Sequence, residues 1–379
     1  MYGCALRHYL PACKGQKMTP TDLRSDTPSP IRWVADHATS RDNNFNLIRI
    51  LAATGVLVSH AYPLSLGPTA LQPLEGILQG LTLGTVCVWI FFAISGFFIT
   101  QSFARKHSTR AFLAARVLRL VPALVVVTVI TIAVAGLLLT QAPQPVFWAE
   151  AGPYFIRNLL LFKLQYTLPG VFETNPYGGA INGSLWSLSY EVTCYAGVFL
   201  CGILGLFARP RIFACLVVLF LGVYGAGMLG DLHPRLSKLT ELGLPFLIGM
   251  IFYIWRHHIP LSGTLLAGLA ALAVLAWFTP LFMPVFAVAL SYAIFMLGYA
   301  RTPIVQRYNR LGDYSYGMYI YAFPIQQLVA QTGVTTPVLN MAIALPFTII
   351  CAVISWHVIE HPAMQLRHGV SGLNRQKIR

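Results

Sequence analysis

The chain predicts an all-α, polytopic membrane protein of about ten transmembrane helices with both termini in the cytoplasm, and three observations lead there. Of the 379 residues 56% are hydrophobic and only 10% charged, with a mean hydropathy of +0.65, whereas a soluble domain carries about 25% charged residues. The apolar residues fall into ten runs, each near the ~20 residues that cross the hydrocarbon. Lys and Arg outnumber Asp and Glu by 26 to 12 and gather in alternate segments between those runs. That alternation is what the positive-inside rule produces, so the net charge of +14 reflects topology and not nucleic-acid binding.

Taken in order, residues 1–44 are polar, basic and proline-bearing and read as a poorly ordered cytoplasmic tail without the apolar core of a signal peptide. The first run, Phe45 to Leu66, is apolar from Leu47 onward, with only Arg49 and His60 able to carry charge. A second run covers 81–101, followed by the densest basic segment, with Arg105, Lys106, Arg110, Arg116 and Arg119. Further runs occupy 120–140, 186–206, 212–229, 241–255, 263–279, 281–300, 314–331 and 338–358. The pair 263–279 and 281–300, divided by Thr279-Pro280, also fits a re-entrant hairpin. Of the 26 Lys and Arg, 21 lie in segments that this topology turns inward; Arg157, Lys163, Arg235 and Lys238 lie outward, and Arg49 lies within a span. The membrane domain is thus 45–366, and 367–379 is a basic cytoplasmic tail. The longest outward segment, 141–185, holds an amphipathic, aromatic stretch from Tyr154 to Glu173, suited to lying in the interface.

An ionisable group inside a span is unfavourable by several kcal/mol unless it meets a polar interior or a partner, and so marks a functional position. Arg49 and His60 are eleven residues apart, about three full turns at roughly 100° per residue, so they share a helix face about 16 Å apart along the axis. The plainer alternatives are an Arg49 that snorkels to the headgroups and a His60 that is merely packed and hydrogen-bonded. Arg116 and Arg119, three apart, also share a face. Glu191 comes about five residues into its helix, at a depth comparable with His60 when each is counted from the end of its own span, so the two could pair; the plainer alternative is an interfacial, water-exposed carboxylate. Trp186, Tyr316 and Tyr319 are aromatic candidates for ligand contacts, and Asp313 and a run of tyrosines continue into the 314–331 span. Glu360-His361-Pro362 falls where the last helix meets the cytosol and reads as a helix end. The seven cysteines form no CxxC pair and lie mainly in apolar segments; no metal site is expected.

Together these segments resemble the acyltransferase 3 family of bacterial integral-membrane acyltransferases over about Asn44 to Leu366. The parts that carry the resemblance are Arg49 with His60 in the first span, FFAISGFFIT at 91–100, FLAARVLRLVP with Arg116 and Arg119, NGSLWSLSYE ending in Glu191, GDYSYGMYIYAFP and IEHP. The resemblance implies transfer of an acyl group, commonly acetyl, from cytoplasmic acyl-CoA to a hydroxyl of a carbohydrate or lipid-linked glycan, in the bacterial cytoplasmic membrane. It implies that Arg49, His60, Arg116 and Arg119 are functionally important; from their placement, Arg49, Arg116 and Arg119 are expected to serve the donor and His60 catalysis, with Glu191 orienting His60 or positioning the sugar and Trp186, Tyr316 and Tyr319 as candidate acceptor contacts. One departure is Ala322, where relatives often have histidine before the Phe323-Pro324 position. A periplasmic hydrolase-like domain, fused to some relatives, is not expected after the tenth span.

The expected chemistry is a neutral His60 imidazole taking the proton of the attacking hydroxyl, or an acyl-histidine intermediate; the residues fit either. Guanidinium groups suit the donor's phosphates through their bidentate fork. A transporter is the alternative class, but the chain shows no inverted internal repeat.

Overall fold

In the computed structural model the chain is a bundle of helices, and the structure describes residues 31–40, 42–105, 108–300, 305, 308, 309 and 311–366. The tails 1–30 and 367–379 lie outside the described residues. In chain order the helices are α1 (Val34–His37), α2 (Phe45–Leu66), α3 (Leu83–Arg105), α4 (Thr109–Val134), α5 (Gln144–Leu160), α6 (Leu185–Ile203) and α7 (Pro210–Met228). There follow α8 (Pro234–Ile254), α9 (Gly263–Leu275), α10 (Phe282–Gly298), α11 (Ser315–Gln331), α12 (Pro337–Ser355) and α13 (His361–Gln365). The ten runs read from the sequence each form a helix. Among the described residues six stretches are long and apolar enough to cross a membrane: α2, α3, α7, α8, α4 with its π-helical continuation to Leu139, and Pro337–Gln365, which contains α12. Of the others, α6 and α11 carry the polar side chains described below. The pair α9 and α10 is shorter; α9, at 13 residues, is roughly 20 Å long.

The helix α3 runs through the middle, against α2, α6, α8 and α10. Its contact with α8 depends on missing side chains. A methyl group at Gly96 would overlap the carbonyl oxygen of Phe246, and one at Gly249 that of Ala93. Two glycines thus let the backbones touch, the way helices associate where no hydrophobic gain from water is available. Toward the Arg49 end of α2 an aromatic cluster closes the core, with Phe45, Phe97, Phe252, Phe295 and Tyr299 in mutual ring contact.

Two segments differ from the sequence reading. The amphipathic helix begins earlier, at Gln144, and buries Phe147, Ala151, Tyr154 and Asn158 on one face. It stops at Leu160 because Leu161 turns into the left-handed region at φ 56°, so much of the 154–173 stretch is irregular. Residues 32–40 and 42–44 are folded onto the bundle. Val34 and Ala35 donate backbone hydrogen bonds to Ile259 and Arg256, Leu261 donates to Arg32, and Gln101 of α3 donates to the Ala38 carbonyl at 2.5 Å. Val34 is fully buried, which is what fixes so polar a segment.

Candidate active site

The buried charges meet at one end of the bundle. Arg49 of α2 and Arg119 of α4 both donate to the same Asp313 carboxylate oxygen, each at 2.7 Å. Arg119 also donates to Glu360 at 3.1 Å, so one guanidinium fork spans two carboxylates. Glu360 is 1% exposed and takes a further hydrogen bond from Ser355 at 2.9 Å. Asp313 lies in the loop before α11, and Ser315 donates to its second oxygen at 2.6 Å. Burial would raise the Asp313 carboxyl, but Arg49, Arg119 and the Ser315 bonds bring it down to about 2. Arg116, one turn before Arg119, lies 5.8 Å from the Phe112 ring centre and 5.9 Å from that of Tyr195.

This cluster borders a cavity of about 520 Å³ whose lining includes Arg49, Arg105, Arg116 and Arg119 and, among the described residues, no carboxylate. Ala38, Thr39, Ser40 and Asn43 of the folded N-terminal segment form part of its wall. A smaller hollow of about 50 Å³ shares Arg49, Arg119 and Tyr195 with the cavity and adds Glu191, Tyr316 and Tyr319. Four guanidinium groups in one concavity suit a ligand with several phosphates.

The structure places Glu191 here and not beside His60. Its carboxylate accepts from Ser95 at 2.9 Å and from Tyr195. The expected His60–Glu191 pair does not form: α2 packs on α3, α11 and α12, whereas α6 packs on α3 and α8. His60 sits at the other end of α2, edge-on to Phe323 with ring centres 5.4 Å apart. Its Nδ1 is buried without a hydrogen-bond partner among the described residues. Tyr316 and Tyr319 are spoken for by the backbone, donating to the Leu120 and Ser184 carbonyls at 2.9 and 3.0 Å. Trp186 faces a different cavity, at the His60 end.

Sequence reasoning missed Glu360 as the partner of Arg119, assigning it to a helix end. The signal was there: a glutamate directly after the apolar Val358-Ile359 at the close of a span is unfavourable unless a cation meets it. Ser95 and Tyr195, which hold Glu191, gave no such signal. Among the described residues no three His, Cys, Asp or Glu side chains gather as a metal site.

No solved structure matches the chain. An O-acetyl transferase of Shigella phage Sf6 is 29% identical over 345 residues, 84% of this chain and 95% of that protein. Nodulation protein 10 of Rhizobium leguminosarum bv. viciae is 28% identical over 366 residues, 88% of this chain and 96% of that protein. The acyltransferase domain model of the acyltransferase 3 family matches residues 42–357. Spanned by that model for most of its length, the chain belongs to the acyltransferase 3 family and is an acyltransferase enzyme.

Proposed function

We propose that the chain is a multi-pass enzyme of the bacterial cytoplasmic membrane that moves an acyl group, acetyl in the first instance, from acyl-CoA to a hydroxyl of a carbohydrate. The observation that carries the reading is the arginine cavity: about 520 Å³, with four guanidinium groups and no carboxylate among the described residues that line it. Phosphate-bearing CoA fits that chemistry, and the O-acetyl transferase of phage Sf6 supports acetyl as the group moved. In this reading Arg49, Arg105, Arg116 and Arg119 hold the phosphates from the cytoplasmic side. Asp313 and Glu360 fix the guanidinium forks. Glu191, beside the adjoining hollow, accepts from a pantetheine amide N–H and so steers the thioester end.

His60 is the residue we assign to the proton. The acceptor oxygen attacks the thioester carbonyl, the imidazole takes the hydroxyl proton, the C–S bond breaks, and CoA leaves as the thiolate. An acyl-imidazole intermediate would use the same residue and release the same thiolate before the sugar attacks. The buried Nδ1 with no partner supports the assignment, because a merely structural histidine normally finds hydrogen-bond partners for its buried nitrogens.

The test is CoA release by purified protein given acetyl-CoA and a saccharide acceptor. His60→Ala should bind acetyl-CoA normally yet lose about 10²–10⁴ in transfer rate, and His60→Gln should fare no better because an amide does not take the proton. Near-normal transfer by His60→Ala, or solute transport without CoA release by the unaltered protein, would overturn the reading.

A further inference from the structure

At the end of the bundle away from the arginines lies a second cavity, of about 820 Å³, between the end of α5, the start of α6 and the start of α8. Its position follows from α6. The late part of that helix, Phe199 and Gly202, packs on Phe103 near the arginine end, so Trp186 in its first turn is at the opposite end, as is His60 on α2. Aromatic side chains wall the cavity: Phe162, Tyr166, Trp186 and Tyr190. Trp186 and Tyr190 meet edge to face at 6.0 Å. Lys163, His233 and Arg235 also line it, and among the described residues no carboxylate does. Lys238 stands 5.4 Å from the centre of the Trp186 ring, held there by both oxygens of Glu241.

The distribution of charge makes this notable. The segments read as outward hold only four Lys and Arg, and three of them, Lys163, Arg235 and Lys238, converge on this aromatic corner. The corner is firmly mounted. Asn182 donates to the Ile320 carbonyl, Tyr319 donates to the Ser184 carbonyl, and Ser187 bonds the Tyr319 hydroxyl. The same loop touches the His60 surroundings, since Gly183 lies against the Phe323 ring that His60 contacts. Aromatic faces stack on the apolar faces of sugar rings, and exposed cations without a facing carboxylate attract an anion.

We propose that this cavity holds the acceptor and that the acceptor is an anionic saccharide, one bearing a phosphate or a carboxylate close to the sugar that receives the acyl group. Aromatic side chains grip the ring, and Lys163 and Arg235 take the charge. The inference rests on the transfer reading above only for the word acceptor; the binding itself stands apart from it. The full-length protein in nanodiscs is titrated with N-acetylglucosamine, N-acetylglucosamine 1-phosphate and glucuronic acid. One or both charged sugars should bind at least about tenfold tighter than the neutral one, and raised salt should shrink the gap. The comparison of the two charged sugars separates phosphate from carboxylate. Lys163→Ala with Arg235→Ala should abolish that preference, and Trp186→Leu should weaken all three sugars, while acetyl-CoA binding is unchanged. Equal affinity for neutral and charged sugars, a preference that survives the double substitution, or binding of none of the three would overturn the proposal. If the charged sugar binds as expected but no acetyl-CoA is consumed, the transfer reading falls and the saccharide site remains.

Discussion

Arg119 bridges Asp313 and Glu360, and this double engagement separates two effects that mutation would otherwise confuse. Arg116→Ala leaves the Arg49–Asp313–Arg119–Glu360 network intact while removing a cation from the cavity. It should lower acetyl-CoA affinity by roughly 10- to 150-fold, the loss of one charge-assisted contact, with little change in unfolding; Arg116→Lys should recover only part of it, because an ammonium lacks the fork. Arg119→Ala should lose donor affinity and stability together, since it leaves Glu360 buried without its cation. Glu360→Ala isolates the structural part: removing one member of a buried pair is destabilising by about 3–5 kcal/mol, which denaturant unfolding in detergent would read. Glu360→Gln, which keeps the shape and the Ser355 bond, should be milder. Unchanged acetyl-CoA affinity in a well-folded Arg116→Ala protein would remove the arginine cavity from the donor's path.

At the scale of the element, the sequence was most informative where one period governs a whole helix. Arg49 and His60 sit on α2 as hydropathy and a 3.6-residue turn require, and Arg119 projects inward as its spacing from Arg116 suggests. Depth counted from helix ends gave neither the level nor the neighbours of Glu191: its carboxylate meets Ser95 of α3 at the arginine end, whereas His60 lies at the other end of α2. Glu360 escaped for a related reason. Residues Trp356–Glu360 form a π-helical turn, whose extra residue shifts the side chains that follow out of the 3.6-residue register. The segment 31–40 was unreadable as structure because its fixing contacts are mostly backbone hydrogen bonds to residues far along the chain. Its place in the cavity wall makes it testable. A chain beginning at residue 41 should show a KM for acetyl-CoA raised about tenfold, equivalent to about 1.4 kcal/mol of donor binding, with a smaller change in kcat. A chain beginning at residue 31 should match the full-length enzyme. Equal KM values for both truncations would mean that the segment braces α8 and does not touch the donor.

Across the whole molecule, the two ends of the bundle differ in charge in a way that orients it. The arginine cavity, with four guanidinium groups lining it, lies at the ends of α2, α3 and α4 that adjoin the Arg- and Lys-rich segments, whereas the aromatic corner lies at the end served by four outward cations. Positive segments are retained on the cytoplasmic side during insertion, so the donor cavity should open toward the cytosol, where acyl-CoA is. Ten crossings, with α9 and α10 as a full pair, would place both termini there too. The point most open to test is that pair, because α9 has 13 residues and at roughly 20 Å falls short of a ~30 Å hydrocarbon core. Whether or not α9 and α10 cross fully, their ends return to the same side, so the topology of the site is insensitive to it. Reporter fusions after Glu173, in the 141–185 segment, and after Asp313, in the arginine network, should therefore report opposite sides of the membrane. A fusion in the turn at Thr279 should report the side of Glu173 if α9 and α10 cross, and the side of Asp313 if they form a re-entrant hairpin. Finding Glu173 and Asp313 on one side would put donor and acceptor cavities in the same compartment and sink the ten-crossing arrangement.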